Sequence, residues 1–123
     1  MISFDNFAPE DGVPIYQQVV RHVKRGIVSG QVQDGDELPS RRTLSALLGL
    51  NPNTVQKACS LLEEEGLIVS RAGAKSAVCL SEEKVASVRK ELLEGDVAAM
   101  VAALKEMGLT RDEALALIGR CWN

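Results

Sequence analysis

The sequence predicts a mainly α-helical protein with one small β-hairpin, and two observations carry this prediction. Apolar residues recur at helical spacing in five segments, and residues that favour helix starts or ends lie beside these segments. Two short segments, 67–70 with β-branched Ile68 and Val69 and 76–80 with Val78, flank the glycine-containing turn 71–75, as in a hairpin. The predicted order is three helices, the hairpin and two further helices. A chain of 123 residues suits one compact domain, or a small domain with an oligomerisation appendage.

The first helix is predicted over residues 14–29, after a lead-in arm of residues 1–13. Pro14 suits the first helical position, where its missing N–H would have no partner, and Gly30 favours the end of the helix. One face of this helix is apolar and contains Ile15, Val19, Val20, Val23 and Ile27. Residues 31–38 are predicted to form a loop.

Two short helices with a tight connection are predicted next. Ser40 caps the second helix, whose buried stripe is formed by Leu44, Leu47 and Leu48, and Gly49 ends it. Asn51 caps the third helix with Pro52 in its first position, and this helix covers residues 52–65. Followed by the hairpin, this is the order of a winged helix-turn-helix, which we expect over residues 1–80.

Residues 81–123 are predicted to form a helical tail that pairs two copies of the chain. Its first helix starts after Ser81 and extends to about Glu106, with a kink possible at Gly95–Asp96. Thr110 and Glu113 match a capping box for the last helix. The apolar positions expected to support dimerisation are Leu93, Val97, Met100, Leu104, Met107, Leu117 and Ile118.

Charge is distributed unevenly along the chain. The formal net charge is −3, yet no acidic residue lies between Leu38 and Leu62, where Arg41, Arg42 and Lys57 occur. A local basic excess in an acidic chain indicates a nucleic-acid contact surface. Aromatic residues make up only 3% of the chain, which argues against base stacking and therefore against single-stranded binding.

The third helix has a polar stripe suited to base edges. Its apolar stripe contains Val55, Ala58, Cys59 and Leu62, and its polar stripe contains Asn53, Gln56, Lys57 and Ser60. Asn and Gln can pair with adenine, and Lys can reach guanine acceptors. The alternative is a solvated face that happens to lack carboxylates.

Other residues are predicted to hold the DNA backbone. Arg41 and Arg42 follow the cap of the second helix, where an arginine fork can hold a phosphate or reach a base. Asn53 and Thr54 lie at the start of the third helix, where phosphate binding competes with plain capping by Asn51. The hairpin tip offers Arg71, Gly73 and Lys75.

Several function classes are disfavoured. The chain has one histidine, His22, and neither a glycine-rich phosphate loop nor a convergent carboxylate pair, so we do not expect an enzyme. Cys59, Cys79 and Cys121 lie far apart without a C-x-x-C pair, so buried reduced thiols are favoured over a metal site, although a His/Cys sensor across a dimer stays open. No cofactor is expected. The chain shows no signal pattern and no membrane-length apolar run, so we expect a cytoplasmic protein without membrane contact.

The ordered residues resemble the N-terminal domain of GntR-type bacterial transcription regulators over about residues 13–78. The matching segments are 14–18, Gly30, 35–44, 51–55 and 62–68. The short tail resembles the YtrA-like subgroup, whose members are small dimeric repressors often placed beside transporter genes. Residues 81–123 are too few for the large effector-binding or aminotransferase-like domains of other GntR subgroups.

The resemblance implies a homodimeric repressor that binds an inverted repeat through helix 52–65 and the wing 71–75. It implies DNA contacts at Ser40, Arg42, Asn53, Thr54, Gln56, Lys57 and Gly73. The wing departs from the family pattern, because Lys75 replaces a second glycine and Ala77 replaces an aromatic residue.

Two alternatives stay open. The third helix could meet another protein instead of DNA. An effector, whose identity the sequence does not give, could bind between the tail helices, where Met100, Met107 and Trp122 would line an apolar cleft; simple dimer core is the alternative role for those three residues.

Overall fold

The computed structural model describes residues 1–10, 12–71 and 75–123. These residues contain α1 (Ile15–Ser29), β1 (Glu37–Leu38), α2 (Arg41–Leu48), α3 (Pro52–Glu64), β2 (Ile68–Ser70), β3 (Ser76–Val78), α4 (Glu82–Glu106) and α5 (Arg111–Cys121). The mainly helical fold class is confirmed. The chain divides into two compact units, Met1–Arg89 and Lys90–Asn123.

The predicted hairpin belongs to a three-stranded antiparallel sheet with strand order β1-β3-β2. Strands β2 and β3 pair Ile68 with Val78, and β1 pairs Glu37 with Ala77. The prediction of a loop over residues 31–38 is therefore wrong at its end. Two residues of that segment join the open edge of β3, where they satisfy backbone groups that the hairpin alone leaves unpaired.

The core of the first unit is built from α1, α2, α3 and the sheet. Its largest fully buried side chains are Leu38, Leu44, Leu62, Ile68, Val19, Val23, Val55, Val78 and Cys59. The apolar faces predicted for α1 and α3 supply most of them. The buried stripe predicted for α2 is confirmed only at Leu44, because Leu48 is half-buried and Leu47 is 67% exposed.

Helix ends follow the predicted caps closely. The Ser40 hydroxyl accepts a hydrogen bond from the Thr43 N–H at 3.1 Å, and the Asn51 side chain accepts one from the Asn53 N–H at 2.8 Å. Pro14 is the residue before α1 instead of its first helical residue. α4 continues through Gly95 and Asp96, the position at which the sequence allowed a kink.

The capping box of α5 is present and is sensitive to pH. The Glu113 carboxylate accepts hydrogen bonds from the backbone N–H and the hydroxyl of Thr110, both at 3.0 Å. These bonds lower the pKa of Glu113. The cap therefore stabilises α5 above the ordinary glutamate pKa, and this contribution is lost as the pH falls through the lowered pKa.

Two lysines connect elements of the first unit. The buried Lys24 of α1 pairs with Glu65 at the end of α3, with Nζ 2.8 Å from Oε1. Lys84 of α4 donates to the carbonyl groups of Gly66 at 2.6 Å and Cys79 at 3.3 Å. These contacts fix the C-terminal end of α3 against α1 and against the start of α4.

The lead-in arm is held by a buried glutamine. Gln18 is 6% exposed, and its Nε2 donates to the carbonyl groups of Glu10 at 2.9 Å and Val13 at 2.7 Å. Its Oε1 accepts from the Glu10 N–H at 2.9 Å. Farther along the arm, Ile2 is buried and its N–H donates to the Glu37 carbonyl group at 2.9 Å. The arm is therefore part of the folded unit and contacts the sheet.

Replacing Gln18 with leucine is expected to lower the free energy of unfolding by about 1–3 kcal/mol, because three hydrogen bonds that fix the arm are lost. Urea denaturation measures the change. Gln17→Leu is the matched control, since Gln17 is exposed and bonds only the Tyr16 hydroxyl among the described residues. Equal destabilisation by the two substitutions would contradict the role given to Gln18.

Candidate nucleic-acid interface

The predicted polar stripe of α3 faces solvent. Asn53, Gln56 and Lys57 are exposed, and Ser60 is half-buried. Nε2 of Gln56 donates to the Ser60 hydroxyl at 3.1 Å, one helical turn further on. This bond restrains the Gln56 amide and leaves its carbonyl oxygen as an acceptor for an outside donor. The side-chain amide of Asn53 has no partner among the described residues, so both its donor and its acceptor face solvent.

The structure separates the two arginines of α2. Arg41 is half-buried and turned toward α3, with Nη2 3.9 Å from Oε1 of Glu63. The same carboxylate accepts a hydrogen bond from the Ser70 hydroxyl at 2.6 Å, so it connects α2, α3 and β2. Arg42 is exposed and makes no ion pair with any residue that the structure describes. Arg42 is thus the arginine available to an outside anion.

Arg41 also lies beside the buried thiol of Cys59. Burial raises the pKa of this thiol, and the positive charge of Arg41 opposes the shift without cancelling it. Cys59 therefore stays protonated at neutral pH and has a packing role beneath the interface. Cys79 is half-buried and Cys121 is exposed. The expectation of buried thiols is therefore wrong for these two cysteines.

Lys57 contacts an aromatic ring that the sequence analysis did not single out. Its Nζ lies 4.1 Å from the centroid of the Tyr16 ring, which belongs to the first turn of α1. An ammonium group over an aromatic face at this distance is a cation–π contact. The pattern of α1 placed Tyr16 outside the apolar stripe, and only the packing of α1 on α3 brings it to this surface.

Ser40 and Thr54 are placed at the helix starts that border the stripe. The Ser40 hydroxyl is occupied by the cap of α2, since it accepts from the Thr43 N–H and donates to the Thr43 hydroxyl at 2.9 Å. Thr54 is half-buried in the first turn of α3.

The wing is described on both sides of its tip. Arg71 and Lys75 are exposed, and the Arg71 N–H donates to the Lys75 carbonyl group at 2.7 Å. Nζ of Lys75 lies 3.9 Å from Oε2 of Glu37 in β1. The charge of this wing lysine is therefore partly compensated by a carboxylate on a neighbouring strand. The predicted contact at Gly73 lies outside the described residues.

The unit Lys90–Asn123 exposes most of its apolar residues. None of its residues is buried, although α5 and most of α4 belong to it. Five of the predicted dimerisation residues are exposed, namely Leu93 at 54%, Val97 at 51%, Met100 at 40%, Met107 at 68% and Leu117 at 38%. Leu104 and Ile118 are half-buried and line a groove of about 410 Å³ between α4 and α5.

The effector cleft considered from the sequence has a different lining. The groove between α4 and α5 is formed by Val101, Leu104, Lys105, Leu109, Thr110, Arg111, Ala114, Leu115 and Ile118. Met100, Met107 and Trp122 do not line it, and Trp122 is 82% exposed. An effector cleft lined by these three residues therefore does not coincide with this groove and stays an alternative drawn from the sequence.

His22 of α1 forms an aromatic cluster with two phenylalanines of the arm. Its ring stacks on Phe4 at 4.8 Å and meets Phe7 edge-on at 5.7 Å, and Nε2 lies 2.8 Å from the Ser3 carbonyl oxygen. Over residues 1–10, 12–71 and 75–123, no cluster of His, Cys, Asp or Glu could hold a metal ion. Within the same ranges, no helix has the length and apolar character needed to cross a membrane.

The fold is that of a winged helix-turn-helix protein, because three helices are followed by an antiparallel hairpin. The polar stripe of the third helix, which has no carboxylate, lies where such proteins contact DNA. The model of the bacterial regulatory proteins of the gntR family matches residues 15–78. The chain belongs to this GntR family.

Relatives match beyond the DNA-binding unit. The chain is 35% identical to the HTH-type transcriptional repressor YtrA of Bacillus subtilis over 87% of this chain and 75% of that protein. It is 31% identical to the B. subtilis regulator YhcF over 83% of this chain and 84% of YhcF. A solved GntR family regulator from Listeria monocytogenes, 25% identical, superposes with a TM-score of 0.76 over 91% of this chain and 98% of its own.

Family membership favours DNA over another protein as the partner of the third helix. The protein is a DNA-binding transcription regulator, and its relatives and fold are those of regulators, not of enzymes. The resemblance drawn from the sequence is confirmed.

Proposed function

We propose that the protein is a homodimeric transcription repressor that binds an inverted-repeat operator. In each copy, α3 reads base edges in the major groove, Arg42 holds the adjoining backbone or a base, and the wing contacts phosphate with Arg71 and Lys75. DNA binding itself follows from the family; the residues, the symmetry and the direction of regulation are the proposal.

The main support for recognition of base edges by α3 is its exposed polar surface, formed by Asn53, Gln56 and Lys57, together with the exposed Arg42 of α2. A solvated helix face normally mixes Glu with Lys, whereas this stripe offers amides and a cation. These are the groups that pair with adenine and guanine edges. Arg41, Ser40 and Thr54 are given lesser roles, because the first is paired with Glu63, the second caps α2 and the third is half-buried.

Dimerisation is supported by the absence of any buried residue in the unit Lys90–Asn123. Isolated helices are marginally stable in water, and helices in proteins are stabilised mainly by burying an apolar face. A second copy would cover Leu93, Val97 and Met100, which lie on one stripe of α4. Two-fold symmetry would then place two copies of α3 about one DNA turn apart, or a multiple of it, matching an inverted repeat.

The repressor role is inferred from the relative YtrA, which is named a repressor and matches most of this chain. A DNA-bound dimer represses when its operator overlaps the promoter. Control of transporter genes is proposed on the same resemblance.

Selection from genomic DNA tests the proposal. Purified protein is mixed with fragments of its own genome at near-physiological salt, and bound fragments are sequenced. Enrichment of an inverted repeat upstream of a transcription unit is expected, together with lower transcription from that promoter when the protein is added. Recovery of direct repeats or of sequence-independent DNA would contradict the proposed symmetry and reading mode.

Gln56→Ala is expected to lower operator affinity by about five- to a hundredfold while leaving random-DNA affinity nearly unchanged, because one base pairing of ~1–3 kcal/mol is lost. Lys75→Ala is the comparison variant. It is expected to weaken operator and random DNA alike and to reduce the slope of affinity against salt by about one charge or less. Fluorescence anisotropy over a salt series measures both. Equal loss on the two DNAs in the Gln56 variant would remove that residue from base reading.

A further inference from the structure

The contact between Lys57 and Tyr16 joins two elements that are distant in the sequence. Tyr16 is half-buried in the first turn of α1, and its ring lies under the Lys57 ammonium group at 4.1 Å. The phenolic oxygen accepts a hydrogen bond from Nε2 of Gln17 at 3.1 Å. The half-buried ring is fixed by its packing in the first turn of α1, and α1 thereby contributes a side chain to the surface that α3 presents.

The ring gives Lys57 an environment that the other interface lysine lacks. Lys75 lies 3.9 Å from the Glu37 carboxylate, which compensates its charge. Lys57 forms no ion pair within the described part of the chain, so its charge is available while its position is restrained. A free lysine loses rotamer freedom when it binds, and a restrained lysine loses less.

We propose that Tyr16 is a positioning residue for DNA recognition: its ring holds the ammonium group of Lys57 over the polar stripe of α3, aimed at an acceptor in the DNA. This inference rests on the proposed function, since it assumes that Lys57 contacts DNA. The aromatic ring carries the effect, and the hydroxyl group is not required for it.

A double-mutant cycle on operator affinity tests the proposal with Tyr16→Leu, Lys57→Met and the double variant. Tyr16→Leu is expected to weaken operator binding about threefold to tenfold, because a Lys57 side chain that is no longer restrained loses its rotamer freedom when it binds. In the Lys57→Met background the same change is expected to have almost no effect. Tyr16→Phe, which keeps the ring, is expected to bind within about twofold of wild type.

The matched control is a second cycle that combines Tyr16→Leu with Lys75→Met, where the two effects are expected to add. Thermal unfolding of each variant is measured alongside. A purely structural role for Tyr16 would lower stability, and Tyr16→Leu would then weaken operator binding by the same factor whether residue 57 is lysine or methionine. That additive result at Lys57 would overturn the proposal. Loss of binding in Tyr16→Phe equal to that in Tyr16→Leu would also overturn it, because it would assign the effect to the hydroxyl group.

A measurement on the wild-type protein keeps the test independent of how the variants fold. The ε-methylene protons of Lys57 should show an upfield NMR shift from the Tyr16 ring, relative to those of the exposed Lys90. Equal shifts for the two lysines would contradict the proposal. If wild-type protein bound no operator while this shift was present, the proposed function would be wrong, although the contact between Lys57 and the Tyr16 ring would exist in solution.

Discussion

Replacing Val97 with glutamate is expected to make the protein monomeric and to lower its operator affinity by about 10²–10⁴-fold. Val97 is 51% exposed in the single chain and lies between Leu93 and Met100 on the stripe of α4 that we expect to dimerise, so the change should leave the isolated fold intact. In a dimer, two copies of this residue would face a desolvated apolar contact, where unpaired carboxylates cost several kcal/mol each. Without the dimer each half-site is bound separately, and the gain from linked binding is lost.

Light scattering gives the mass of the variant, and anisotropy on full and half operators gives its affinity. Ala102→Glu is the matched control: Ala102 is also exposed on α4, five residues from Val97 and therefore about 140° around the helix. It is expected to remain dimeric with unchanged affinity. A dimeric Val97→Glu protein, or a monomer that binds the full operator as tightly as wild type, would contradict the proposed dimerisation through the stripe of α4.

The elements of the fold that the sequence predicts well are those defined by local chemistry. Ser40, Asn51 and Thr110 mark helix starts because a side-chain oxygen next to free N–H groups stabilises that position whatever lies beyond it. The strand at Glu37–Leu38 was missed because two residues carry no periodic pattern. It exists only through its pairing with β3, 40 residues away, from Glu37 to Ala77.

In the candidate site, too, the sequence predicts what local pattern defines and misses what depends on packing between distant segments. The polar stripe of α3 follows from helical periodicity, and it is exposed at Asn53, Gln56 and Lys57 and half-buried at Ser60. Which of the adjacent Arg41 and Arg42 faces solvent depends on where Glu63 lies, and the contribution of Tyr16 depends on how α1 crosses α3. Both are consequences of packing, which spacing within one helix does not encode.

Arg42→Ala is expected to raise the operator Kd by about ten- to a hundredfold, since a charge-assisted hydrogen bond to DNA is worth ~1.5–3 kcal/mol. Arg42→Lys should recover part of this loss, because it restores the charge without the planar fork.

Arg41→Ala is the matched neighbour, and the structure predicts a different outcome for it. Because Arg41 covers Cys59 and approaches Glu63, its removal should lower the free energy of unfolding and change operator affinity by less than about threefold. Anisotropy titration and urea denaturation of both variants separate the two roles. A larger affinity loss in Arg41→Ala than in Arg42→Ala would mean that Arg41 leaves Glu63 when DNA binds, and the contact surface would then centre on the start of α2 instead of on the stripe of α3.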